Sequence, residues 1–427
     1  VTGLSKRTDD LAPRKPLLGA DFRRLWVADG LSQIGSRVGF VVLPLLAISE
    51  LGASPFQVSL LAVLETAAFL VVGLPVGAWC DGWRNRPVLL VADVGRAVAL
   101  GSLPVAAWFG VLTLWQLYLV VAVAGVLTVF FDVAHQSYLP RLIDRSQLVE
   151  GNAKLQANMS VAEVTGPAAG GFLVQFLTAP VAIVVNALSF LWSAGWLRSI
   201  KTSEPPRERS RTRLVPEIRE GLRFVFGHPI LRAVACSGAC VVFFQSMSIA
   251  IAIAFLSLEI GLSPGEVGLL ASIGPLGAVA AALTTNALAR RIGQARLMLV
   301  AIVGLGAGML LVPLTGPGVQ VAWYAIGGVI SGFCLISLNV VEVSFRQMLC
   351  PDHLLGRMNA TMRFMLRATA PFGALLGGIS GTHLGMRTTL WIAAIGVLLS
   401  SAWLLTSPLR HTRDLPLEDA PASSVTA

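Results

Sequence analysis

Twelve stretches of the chain are continuously apolar over about the 20 residues that a helix needs to cross 30 Å of hydrocarbon. Marked off by polar and Pro/Gly punctuation, they run over 22–48, 56–79, 87–109, 114–138, 152–177, 179–199, 230–258, 264–287, 297–315, 319–345, 360–381 and 386–406. Lipid offers no partner to an unpaired backbone N–H or C=O, so a spanning chain must be helical or a closed barrel. The runs are continuous rather than alternating, which argues against a barrel. The expected fold class is an all-α polytopic membrane protein with twelve transmembrane helices. Composition points the same way: 55% of the 427 residues are hydrophobic and 13% charged, against about 25% charged in globular proteins.

Polar stretches set the expected organisation. Residues 1–21 form an N-terminal tail, 22–199 a first six-helix bundle, 200–229 a basic linker, 230–406 a second six-helix bundle and 407–427 a C-terminal tail. With the N-terminus in the cytoplasm, all of the 32 Lys and Arg except Arg37 and Arg387 fall in, or within a few turns of, cytoplasmic segments. This is the positive-inside pattern. It places both tails and the linker in the cytoplasm and assigns the net charge of +9 to topology and to an anionic lipid leaflet, not to nucleic acid. The first apolar stretch is too long, and too interrupted by Asp29 and Arg37, for a cleaved signal peptide. It is expected to remain as a helix of the cell's inner (plasma) membrane.

The two bundles repeat each other. A shift of 209 residues aligns ELGASPFQVSLL (50–61) with EIGLSPGEVGLL (259–270), with seven identities in twelve positions, and LVADVG (90–95) with LVAIVG (299–304). A shift of 207 pairs Ser137 with Ser344, Asn152 and Ala153 with Asn359 and Ala360, and Gly170 and Gly171 with Gly377 and Gly378. Because six is even, both copies start on the same side of the membrane, related by a pseudo-two-fold axis along its normal. Parallel repeats of this kind build transporters whose site lies between the halves near the midplane.

Between the second and third stretches, GAWCDGWRNRPVLL (77–90) sets Gly77 four residues before Asp81, with Arg84 and Arg86 in the turn. This resembles the loop motif of the major facilitator superfamily, usually written GxxxDRxGRR. Gly77, Asp81 and Arg86 match it, whereas Gly82 and Arg84 depart from it. The fifth stretch carries TGPAAGG (165–171), similar to the GPxxGG element of that superfamily's drug:proton antiporters, with Gly166, Pro167, Gly170 and Gly171 as its members; tight helix packing alone would also account for these residues. FFDVAHQSYLPRLI (130–143), VEGNAKLQANM (149–159) and PEIREGLRFVFGHPILR (216–232) resemble the branch of macrolide-efflux and enterobactin-export proteins. The resemblance implies the major facilitator fold, export driven by a proton gradient with no cofactor, and a conformational gate in which Asp132, Arg363 and Arg367 are partners of the 77–86 loop. The expected partners are membrane lipid, protons and a small-molecule substrate, with a monomer as the working unit.

Charged groups inside hydrocarbon cost about 2.5–3.5 kcal/mol each on insertion scales, so each needs a partner or a wet cavity. Asp29, Gln33, Ser36 and Arg37 fall on one helical face, and that face is expected to line the central cavity. Counting 1.5 Å per residue puts Arg37 and Glu65 at similar depth, as partners or exchanging partners near the midplane. Glu65 is the first choice for proton carrier, because a change of neighbours between two states would change its proton affinity. Glu163, on a second polar face with Gln156 and Ser160, is the alternative, or a simple balance for Arg37. Asp93 with Arg96, and Glu342 with Arg346, read as local salt bridges.

No GxxxxGK[ST] phosphate loop is present, which excludes ATP-driven transport within this chain. The five cysteines and five histidines lack metal-ligand spacing, so no metal site is expected. His135 beside Asp132 is the only set suggestive of an enzyme, and no enzymatic activity is expected. The sequence is thus expected to encode a secondary transporter exporting a small organic or amphipathic molecule such as a drug, siderophore or secreted metabolite. Uptake and a non-transporting receptor or scaffold are the alternatives.

Overall fold

The computed structural model describes residues 19–202, 222–349 and 352–407. The expected tails and the linker's 203–221 lie outside the described residues. The helices are α1 (Ala20–Leu51), α2 (Pro55–Gly82), α3 (Asn85–Trp108), α4 (Leu114–Leu142), α5 (Leu148–Leu177), α6 (Ala179–Ser199), α7 (Pro229–Ala254), α8 (Pro264–Ile292), α9 (Gln294–Leu311), α10 (Ala322–Leu349), α11 (Asp352–Ala368), α12 (Ala370–His383) and α13 (Met386–Leu405). No strand occurs among the described residues.

Ten of these segments are long and apolar enough to cross a membrane. The three exceptions, α5, α11 and α12, fill the fifth and eleventh of the twelve expected places. Helix α5 has the length but is diluted by polar and small residues, and it is sheltered between α1 and α8. The eleventh place, expected as one helix over 360–381, is divided at Thr369 into α11 and α12. Pro371 lacks the amide that would bond Arg367's carbonyl, so the helical ladder is interrupted there. Thr369 takes up the break, its hydroxyl donating to the carbonyls of Leu366 (2.9 Å) and Ala239 (3.2 Å).

The repeated SP-x-Q/E segment is a helix start. Ser54 and Ser263 each cap their helix in a capping box with Gln57 and Glu266, and each is preceded by a glycine in the left-handed region, Gly52 at φ 57° and Gly261 at φ 77°. The box satisfies amides that a helix N-terminus leaves free. A left-handed turn residue is nearly free of strain only as glycine.

Packing follows the same two-fold relation. In the first set α1 packs on α5 and α6, α3 on α4 and α6, and α2 on α4; in the second, α7 packs on α12 and α13, α9 on α10 and α13, and α8 on α10. The sets meet where α5 crosses α8 and α2 crosses α12. The correspondence reaches single residues. Gly170 faces Val38 and Gly377 faces Met247; Gly171 faces Gly268 and Gly378 faces Ser59.

The cores show where the halves are joined. One apolar cluster runs from Leu45, Leu46 and Val58 of the first set to Ile251, Leu256 and Val267 of the second. It lies at the end bearing the two capping boxes. Toward the other end each set has its own core, around Phe22, Leu89 and Tyr138 in the first and Leu297, Phe345 and Val397 in the second. Shared core at one end and separate cores at the other leave a cavity between the halves.

The orientation expected from the basic residues has a direct check in a cysteine-free background. Val319, 92% exposed in the turn before α10, should be labelled as Val319→Cys by a membrane-impermeant thiol reagent on intact cells. Lys201→Cys, at the end of α6, should be labelled only after permeabilisation. The reverse result would invert the topology.

Candidate functional site

The cavity has a volume of about 650 Å³ and is walled by α1, α2, α3, α4, α5 and α11. A smaller pocket of about 120 Å³ continues from it toward the joined end. Ser36, Phe40, Glu65, Arg96 and Thr128 border both. The larger space is polar, whereas the smaller is mainly apolar, with Leu61, Val121 and Phe190 from the first half and Ile249, Ala250 and Ile253 of α7 from the second.

All four residues of the α1 face, Asp29, Gln33, Ser36 and Arg37, line the large cavity. Periodicity alone puts them on one face, and the interrupted apolar pattern turns that face inward. Arg37 donates from Nη2 to Glu163 Oε1 at 2.8 Å. Its ion pair is therefore with α5 and not, as depth counting suggested, with Glu65. Depth fixes the height of a side chain but not its bearing, and α1 packs closely on α5. Glu65 is exposed to the cavity, within the electrostatic reach of Arg37. Among the described residues it makes no hydrogen bond or ion pair.

Two polar groupings go beyond the local pairs read from sequence. Arg96 and Asp93 do form an ion pair, but Arg96 also donates to Ser32 (3.2 Å) and Thr128 (3.5 Å), and its guanidinium lies between the rings of Phe131 (4.5 Å) and Phe190 (4.3 Å). An arginine 2% exposed in a membrane protein is made tolerable by this carboxylate, the two hydroxyls and the two rings, although among the described residues its Nε is left without a hydrogen bond. Asp29 accepts from Asn158 (2.9 Å) and Gln33 (3.4 Å), and His135 Nε2 stands 3.4 Å away. Apart from Asp93 and Gln33, the partners come from other helices, α1, α4, α5 and α6, at sequence distances where no periodicity signals them. For His135 the sequence offered only its nearness to Asp132.

The expected gate residues are distributed differently. Arg86 bonds the carbonyls of Leu197 (3.1 Å) and Arg198 (2.5 Å), placing a cation on the negative end of α6, within its own half. Arg84 is exposed at the N-cap of α3, and a side chain at Gly77 would meet nothing within 4 Å. Close helix approach is therefore not what Gly77 provides here. Asp81's side chain lies outside the described residues. Asp132, Arg363 and Arg367 all line the cavity; Asp132 is in the field of Arg96, His135, Arg367 and Asp29, and Arg367 sits 5.0 Å over Phe69 of α2. Arg346, in α10, bonds the backbone carbonyl of Glu342 at 3.2 Å.

The glycines of TGPAAGG have contacts on two sides. Gly166 and Gly170 lie against Arg37 and Val38 of α1, and Gly171 faces α8, where a Cβ would come within 2.9 Å of Gly268 Cα. Pro167 stays within a continuous α5. One residue on, the Ala168 amide donates across to Ser272 Oγ of α8 at 2.9 Å.

Two six-helix sets, joined at one end around a polar cavity lined by charged groups, define a membrane transporter of the major facilitator fold. The sequence profile described as transmembrane secretion effector matches residues 11–425, and the chain belongs to that family of the major facilitator superfamily. It is 27% identical over 399 residues to the multidrug efflux pump Tap of Mycolicibacterium fortuitum, covering 91% of this chain and 95% of that protein. It is 25% identical over 410 residues to the enterobactin exporter EntS of Salmonella typhimurium, covering 92% and 94%. Among solved structures, a bacterial homologue of the iron transporter ferroportin in an inward-facing state matches with a TM-score of 0.74 at 16% identity, over 90% of this chain and 98% of that one. The nucleoside transporter NupG matches at 0.70 and 13%, over 91% and 98%.

The Arg37–Glu163 pair can be measured by charge exchange. Arg37→Glu and Glu163→Arg singly should each lower unfolding stability in detergent, and the double exchange should recover a coupling of about 1–3 kcal/mol. Additive effects of the two would mean that the pair does not join α1 to α5.

Proposed function

We propose that the protein exports a small amphipathic organic molecule in exchange for protons, its two halves rocking about the joined cores to expose the cavity alternately. The observation that carries this reading is Glu65. It is a carboxylate without a bonded partner, placed where the polar cavity meets the apolar pocket. A carboxyl group there can hold a proton or face a cation, but the two compete for it, and such competition is the minimum requirement for antiport. The apolar pocket beside it suits the body of an amphipathic molecule. Membership of the secretion effector family and the similarity to Tap and EntS support the outward direction. We place both termini in the cytoplasm, with the monomer as the working unit.

Glu65→Gln should abolish uphill export driven by a pH gradient while leaving downhill exchange measurable, and a protonophore should stop the wild type. Export against a gradient at wild-type rate by Glu65→Gln would move the coupling to Glu163 or Asp29.

A further inference from the structure

Pairing off the bonded charges around the cavity leaves four, Glu65, Asp132, Arg363 and Arg367, of which Asp132 and Arg367 lie in each other's field. Arg37 is held by Glu163 and Arg96 by Asp93. Asp29 is held by Asn158 and Gln33, with His135 Nε2 3.4 Å away. Arg367 lies over Phe69 and balances the field of Asp132, whereas the one cation in whose field Glu65 lies, Arg37, is already bonded to Glu163. Glu65 and Arg363 remain. Both line the large cavity, and among the described residues neither has a hydrogen bond or an ion pair.

They face the cavity from opposite halves and at different depths. Phe69, which carries Arg367, is one helical turn beyond Glu65 toward the open end. Arg363 is one turn beyond Arg367 in the same direction. Two turns of about 5.4 Å each put roughly 11 Å along the axis between the carboxylate and the guanidinium. The negative group is the deeper one, next to the apolar pocket. That pocket, at about 120 Å³, approaches the ~150 Å³ that accommodates one benzene ring.

We propose that the transported molecule is a zwitterion with an apolar ring, its cationic end against Glu65 and an anionic group, a carboxylate, phosphate or ionised phenol, on Arg363 and Arg367. This deepens the export reading and rests on it. Closing the cavity strips water from both left-over charges, and an unpaired charge in a dry interior is strongly unfavourable. A plain cation would neutralise Glu65 and leave Arg363 bare, and a plain anion would do the reverse. A zwitterion of this polarity neutralises both in a single step. Two guanidinium groups one turn apart also form a geometry suited to an oxyanion.

The test uses the full-length protein in proteoliposomes and two dyes of one skeleton, rhodamine B, a zwitterion, and its ethyl ester, a cation. Wild-type kcat/KM should favour rhodamine B by about ten-fold or more, which is ~1.4 kcal/mol. Arg363→Gln should remove that preference by lowering rhodamine B transport alone, and Arg363→Lys should keep most of it. Equal transport of both dyes, or an Arg363→Gln effect equal on both, overturns the zwitterion and leaves export standing. Transport of neither dye overturns both readings. An Arg363→Gln effect seen only in vesicles containing phosphatidylglycerol, and absent in pure phosphatidylcholine, assigns the anion to a lipid headgroup and also overturns the proposal.

Discussion

The backbones of α5 and α8 meet at Gly171 and Gly268 with no side chain between them, and the position of the cavity depends on that contact. With the helices this close, the apolar residues at the capped ends of α1, α2, α7 and α8 merge into one core. The opposite ends diverge, and the space between them becomes the cavity. The related crossing of α2 with α12 uses Gly378 against Ser59. The repeat thus preserves a small-residue contact between helices more faithfully than it preserves side-chain chemistry. Van der Waals packing of small residues is the main attraction available to helices in lipid, which is a physical reason for these positions to remain small.

Once the cavity exists, lipid and protein around it decide the fate of each charge. Ionised groups buried among helices are tolerable when bonded: Arg96 has a carboxylate, two hydroxyls and two aromatic faces. Those that border water can be left without a bonded partner, as Glu65 and Arg363 are. The contrast separates structural ionic groups from those available for exchange, although all of them sit in apolar stretches of sequence.

Much of this was legible in the sequence because lipid makes sequence patterns strict. Apolar length marks the helices, and the match of ELGASPFQVSLL to EIGLSPGEVGLL marks the repeat, although the capping boxes those segments form are not read from that match. Helix periodicity brings Asp29, Gln33, Ser36 and Arg37 to one face. Bearing around a helix axis relative to neighbours is a tertiary quantity, and depth alone could not choose between the two acids left open for Arg37: the bonded one is Glu163, the alternative of a simple balance, with Glu65 in its field. The rings about Arg96 and the pairing of His135 with Asp29 come from helices far apart in the chain, with no local pattern to announce them. The break at Thr369 was foreshadowed by Pro371, but its apolar surroundings hid it from a count of span length.

Among the described residues, the ion pairs whose partners are given by geometry keep to one half. Arg37–Glu163 joins α1 to α5 and Arg96–Asp93 lies within α3, both in the first, where His135 Nε2 also stands 3.4 Å from Asp29; Arg387, bonded to Glu259 and to the carbonyls of Pro313 and Thr315, is internal to the second. Between the halves, the hydrogen bonds among the described residues are Ala168 to Ser272 and Gly265 to Gln175, and Arg367 reaches across to a ring, not to a bonded carboxylate. A rocking motion would then slide small and apolar surfaces past one another without parting a desolvated ion pair, a rupture that would cost several kcal/mol. Each half can move as a rigid body because its own charges travel with their partners. The groups whose surroundings such a motion would change are the ones facing the cavity, Glu65 and Arg363 among them.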